Sequence, residues 1–157
     1  MSELTHYVFE GVWLVDAEPR HAFAALRQLE DYPAWWPEVK EVWRLSEDTV
    51  GMRCRSLLPY NLRFTMRQCR EDAADGILEV ALSGDLEGFS RWTISPWRGG
   101  SRLLFEEEVL TNKKVLNRLA PVAKAAFKLN HTLMMSHGHA GLRAYLAGYR
   151  RAYHLEA

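Results

Sequence analysis

Ile77-Leu78-Glu79-Val80-Ala81-Leu82-Ser83, then Gly84-Asp85, then after three more residues Phe89-Ser90-Arg91-Trp92-Thr93-Ile94-Ser95: these two runs decide the architecture of the chain. Side chains alternate across a strand. Leu78, Val80 and Leu82 therefore share one side, with Glu79 and Ser83 opposite. In the second run Trp92 and Ile94 lie together, against Arg91, Thr93 and Ser95. The same pattern extends outward in both directions. Val39–Leu45, Val50–Leu57 and Leu62–Arg70 precede this pair and Arg102–Thr111 follows it. Glu47-Asp48, Pro59-Tyr60-Asn61, Ala74-Asp75-Gly76 and Gly99-Gly100 separate the runs. Separators this short make antiparallel hairpins, because a parallel crossover needs far more chain. Leu62, Phe64 and Met66, and later Leu103, Phe105 and Val109, continue one apolar face. The sheet is expected to be dry on that side and covered there.

The flanks supply the cover. Tyr7–Val15 is rich in aromatic and β-branched residues and reads as a further strand. Asp16-Ala17-Glu18-Pro19 breaks it and starts a helix, with Pro in the first turn. Ala22, Phe23, Leu26 and Leu29 follow at helical spacing, and the helix is expected to end near Leu29 or Glu30. Asp31 to Pro37, with two prolines bracketing Trp35 and Trp36, is a loop or a short irregular helix. A long helical pattern runs from about Asn117 to Tyr149, with Pro121 in its first turn or at a break. Its apolar stripe contains Leu119, Val122, Ala123, Ala126, Phe127, Asn130, Met134, Gly141 and Tyr145, small enough in places to approach the sheet closely. The order is β-α-β6-α, an α+β domain over residues 1–157. A curved antiparallel sheet of about seven strands wraps the C-terminal helix, and a bent sheet against a straight helix leaves room for an apolar ligand.

Composition narrows the function classes. The 157 residues are 48% hydrophobic and 25% charged, ordinary for a globular protein, and six are Trp. Lys+Arg and Asp+Glu are 20 each, so the basic surplus of a general nucleic-acid binder is missing. No apolar run has the length of a membrane span. Met1–Glu10 shows no basic leader before an apolar stretch, so the cytoplasm is the expected compartment. Cys54 and Cys69 are expected to be free thiols. If the hairpin near Pro59 pairs residues summing to about 120, Cys54 faces Met66, and the two sulfurs point to opposite faces.

Several motifs resemble a known family. Val15-Asp16-Ala17-Glu18-Pro19 with Tyr32-Pro33-Ala34-Trp35-Trp36-Pro37-Glu38-Val39 is similar to the START-like, or SRPBCC, superfamily. Gly84-Asp85-Leu86-Glu87-Gly88, Arg91-Trp92-Thr93, Gly100-Ser101-Arg102-Leu103 and Asn117-Arg118-Leu119-Ala120-Pro121 extend the likeness. So do Asn130-His131, Met134, Gly138, Gly141 and Leu142. Within the superfamily the chain resembles the polyketide cyclase/dehydrase and lipid transport group. The resemblance implies a helix-grip fold with a deep cavity between sheet and long helix. Lipid carriers, aromatase/cyclases, hormone receptors and chaperone activators share that fold, which does not choose among them.

The expected cavity wall is Trp35, Trp36, Phe64, Met66, Leu78, Val80, Trp92 and Phe105, facing Phe127, Asn130 and Met134. Of the two Trp residues, one is expected at the cavity mouth and one in the core. Asn130, Met134, His137 and Gly141 are spaced by four, three and four, so they share a helical face. Asn130 and His137 could anchor a ligand there, or lie at its margin bonded elsewhere. Glu107 alternates with Phe105 and Val109, on the dry face, where the resemblance would place an aromatic residue. It either points inward, with a partner for its carboxyl, or a bulge turns Glu106, Glu107 and Glu108 all to solvent. His131, His137 and His139 do not converge, so no metal is expected. Phosphate loops, nucleophile elbows and zincin histidines are missing. If there is catalysis, Glu107 and His137, with Tyr60, are the candidate acid/base groups.

The favoured reading is a binding or carrier protein for a hydrophobic small molecule such as a lipid, quinone or polyketide-like aromatic, with no cofactor. A cofactor-free cyclase/aromatase or dehydratase is the first alternative, and a protein-interaction module the second. A homodimer is compatible with each.

Overall fold

The computed structural model describes residues 5–55, 60–111 and 122–155, and among them seven strands and three α-helices form. The order is β1 (Thr5–Val15), α1 (Pro19–Arg27), a 3-10 turn (Leu29–Asp31), α2 (Tyr32–Trp35), β2 (Val39–Arg44) and β3 (Thr49–Cys54). Then come β4 (Leu62–Asp72), β5 (Ile77–Gly84), β6 (Leu86–Trp97), β7 (Gly100–Thr111) and α3 (Val122–Leu155). The antiparallel sheet runs β1-β7-β6-β5-β4-β3-β2. From β2 to β7 every neighbour in space is a neighbour in sequence, as the short turns require. The exception is β1, which crosses to pair with β7 along its whole length. The helices α1 and α2 carry the chain from one edge of the sheet to the other.

Local chemistry explains the connections. Pro19 opens α1, and Glu18 before it caps nothing with its side chain but accepts a hydrogen bond from Arg20 Nε at 3.0 Å. The proline-bracketed segment is the irregular helix of the two alternatives, a 3-10 turn followed by one turn of α2. Tyr32 pins it by donating its hydroxyl to the Leu26 carbonyl at 2.6 Å.

Two details differ from the sequence reading. The β3/β4 hairpin sets Cys54 opposite Leu62, not Met66. The shift is even, so faces are preserved: Cys54 is buried and Cys69 exposed, both as free thiols. The long helix also turns a different side inward. Its buried positions are Phe127, Gly138, Leu142 and Leu146. Two of its small residues, Gly138 and Gly141, face α2 rather than the sheet. A Cβ on Gly138 would lie 2.5 Å from the Trp36 ring, and one on Gly141 would lie 1.7 Å from the Trp35 carbonyl oxygen. The stripe positions Leu119 and Pro121 lie outside the described residues.

The core has two parts. Trp13, Leu26, Trp35, Trp92, Leu103 and Leu142 anchor the larger one, between sheet, α1, α2 and α3. Tyr7, Leu82, Leu86, Val109 and Phe127 form the smaller one, at the other end of α3. Phe9, Phe64 and Met66 pack against both.

Candidate functional site

A cavity of about 220 Å³ lies between the concave face of the sheet and α3. Strand alternation builds its floor: Met52, Cys54, Phe64 and Met66 come from β3 and β4, and Leu78, Val80 and Leu82 from β5. Trp92 and Phe105 close the far side, with ring centroids 4.8 Å apart. Leu26, Tyr32 and Trp36 wall it from α1 and α2, and Met134 and Met135 from α3. Exposed polar residues lie where it opens, between the end of α1 and strands β2 and β4. Arg27 of α1 and Glu71 of β4 are ion-paired across this mouth.

Three polar side chains, Glu107, Ser90 and His131, meet among these apolar walls. Register along β7 is continuous with both neighbours, and Glu107 pairs with Phe9 of β1 and Ser90 of β6. There is no bulge, so Glu107 points inward, with 12% of its side chain exposed. Ser90 Oγ donates to Glu107 Oε2 at 2.6 Å. His131 of α3 brings Nε2 to 3.3 Å from Glu107 Oε1, with 11% of its side chain exposed. The imidazole stacks on Phe9, centroids 3.6 Å apart and planes 6° from parallel. A buried carboxyl group requires such partners.

Of the expected wall, Trp36, Phe64, Met66, Leu78, Val80, Trp92, Phe105, Glu107 and Met134 line the cavity. Four residues do not. Trp35 is buried against Tyr32 and Trp36. Trp36 is also buried and donates Nε1–H to the Met134 carbonyl at 2.9 Å, so neither Trp is an exposed lid. Phe127 packs on Tyr7, centroids 4.5 Å apart, in the smaller core. Asn130 is half-buried beside the cavity-facing stripe rather than on it. His137 is 53% exposed and meets the buried Glu38, Nδ1 to Oε2 at 2.6 Å, outside the cavity.

The physical reason is rotation. Successive helical residues turn by about 100°, so taking Asn130 for the inward position moves His131 a quarter-turn out. Phe127, Leu142 and Leu146, at i, i+15 and i+19, carry the correct phase, and His131, Met135 and Gly138 fall on it. Ser90 was also missed, although it alternates with Trp92 and Ile94. The third histidine, His139, donates Nε2–H to the Leu14 carbonyl at 2.9 Å and stacks on Trp13. Among the described residues no three His, Cys, Asp or Glu gather as a metal set.

The remaining chemistry at the wall is muted. Burial, reinforced by the Glu107 and Glu38 carboxyls, pushes the Cys54 thiol up to about 12. It is a small apolar wall residue rather than a nucleophile. Tyr60 lies with the smaller core, where burial raises its hydroxyl to about 12.

The family described as polyketide cyclase / dehydrase and lipid transport matches residues 15–130. The chain belongs to this family. No curated protein matches it significantly. Its fold is similar to the Zhui aromatase/cyclase from Streptomyces sp. R1128, at 12% identity and a TM-score of 0.76, covering 90% of this chain and 93% of that one. A START superfamily protein from Mycobacterium smegmatis is 17% identical at a TM-score of 0.71, covering 92% and 99%. The di-domain ARO/CYC StfQ from the steffimycin biosynthetic pathway is 14% identical at 0.64, covering 91% of this chain and 52% of that one. At these identities the likeness is one of fold: the family member has the helix-grip architecture. No helix among its described residues is long and apolar enough to cross a membrane.

Proposed function

We propose that this family member binds and carries a hydrophobic small molecule as a single START-like domain. One observation supports this above the others: sheet and long helix enclose a chamber walled by Phe, Trp, Met and Leu side chains from three sides. A pocket of that kind, apolar with a few placed polar groups, is the form of small-molecule sites. Two free thiols fit a reducing compartment, in keeping with a cytoplasmic protein.

Native mass spectrometry of the gently purified protein tests the reading. A defined small molecule, retained in native spectra and lost on unfolding, is the expected result. An empty protein that also fails to take up a panel of lipids, quinones and aromatics would overturn it.

A cofactor-free cyclase or dehydratase is the second reading, favoured by the carboxyl of Glu107 standing 3.3 Å from an imidazole inside the cavity. A carboxyl and an imidazole in contact are able to move a proton between substrate atoms. Turnover of a polyketide mimic separates the two. An enzyme loses about 10²–10⁴-fold in rate with Glu107→Gln while binding survives. A carrier shows no turnover with either protein.

A further inference from the structure

We propose that Glu107, Ser90 and His131 recognise the hydroxyl group of a neutral aromatic ligand, which donates its O–H to the Glu107 carboxyl. The inference rests on the binding reading above and adds to it the chemical class of the ligand. It begins from the acceptor capacity of Glu107. A carboxylate offers about four lone-pair sites. Ser90 Oγ occupies one on Oε2 and His131 Nε2 approaches Oε1. These are its polar partners among the described residues, and Glu107 lines the cavity. Its remaining lone pairs therefore face the space a ligand would fill, and buried acceptors call for donors.

The neighbours decide which donor. A carboxylic acid would set a second negative charge against Glu107. A cationic amine would give up its hydration to enter walls that are mostly apolar, for a carboxyl that Ser90 and His131 already contact. A ketone accepts only, and leaves Glu107 unmet. A hydroxyl both donates and accepts, so it satisfies the carboxyl, and its oxygen can accept from the imidazole N–H beside it; the Ser90 hydrogen is already given to Glu107. The walls supply the rest. Trp92 and Phe105 stand next to the polar group, and Met52, Met66 and Met134 offer sulfur to an aromatic ring.

Three probes of one shape test this: naphthalene, 2-naphthol and 2-naphthoate, titrated into the full chain and followed by quenching of its tryptophans. We expect 2-naphthol to bind at least about tenfold tighter than naphthalene, a difference of about 1.4 kcal/mol, and 2-naphthoate to bind weaker than naphthalene. Glu107→Leu should bring 2-naphthol to within about twofold of naphthalene, which still binds, because one charge-assisted hydrogen bond is lost. Glu107→Gln should relieve the exclusion of 2-naphthoate, and it decides the matter if the leucine variant does not fold. Equal binding of 2-naphthol and naphthalene by the native protein, or a hydroxyl preference that survives Glu107→Leu, overturns the assignment and leaves the binding reading standing. Failure of all three probes also overturns the assignment; the binding reading falls with it only if lipids and quinones fail as well.

Discussion

Glu107 shows what a single residue can disclose. Period-two alternation along Leu103, Phe105 and Val109 places it inward, and the unbroken β7 register keeps it there. That much was legible. The identity of its helix partner, His131, was not, because it depended on the phase of α3. Cys54 carries a prediction at the same scale. Its thiol is raised to about 12 against an ordinary 9.0. Below pH 9 it is protonated in both folded and unfolded chains and has no effect on pH dependence. Between about 9 and 12 the unfolded chain gives up the proton and the folded one keeps it, so stability should fall as pH rises through that window. Thiol titration at pH 8 should find one reactive group in the native protein, the exposed Cys69, and two after denaturation. Rapid labelling of both in the native state would contradict the buried Cys54.

At the scale of elements, the strands were read well and the long helix less well. Strand faces need only odd and even, and an even register error in the β3/β4 hairpin left every face right. A helix has no such protection. Asn130 and His137 looked inward because Met134 and Gly141 sit at matching spacing, and small residues fit either side of a helix. The glycines in fact serve α2. Gly141→Ala would drive a methyl group into the Trp35 carbonyl, so it should destabilise by about 1–3 kcal/mol, as overpacking does. Helix propensity alone predicts the reverse sign, about 1 kcal/mol in favour of Ala. Gly148 is the internal control, since nothing lies within 4 Å of a Cβ there. Gly148→Ala should stabilise by about 0.5–1 kcal/mol. Urea denaturation of both variants checks the pair; stabilisation by both would mean that α3 is not held against α2.

For the whole molecule, the class, the hairpins from β2 to β7 and the covered face followed from turns and alternation, and the cavity followed from setting a bent sheet against a straight helix; the pairing of β1 with β7 did not follow, because no short turn announces it. The volume of that cavity could not be read, because it is what remains after a sheet has curved around a helix. The pairing of β1 with β7 has a consequence in time rather than in space. Strands β2 to β7 form a meander in which each partner is the next strand along the chain, so its loops close cheaply. Strand β1 has to wait for a partner that begins at Gly100, and contacts between residues so distant in sequence are slow to form. During synthesis β1 leaves the ribosome well before its partner β7, and Tyr7, Phe9 and Trp13 lack that partner in the interval. Substitutions there, such as Val15→Ala at a buried position, should speed unfolding while leaving the folding rate nearly unchanged, whereas Val80→Ala in the meander should slow folding. Stopped-flow chevrons of the two variants measure this directly. A folding rate slowed as much by the β1 change as by the β5 change would place the closure of the sheet before the barrier rather than after it.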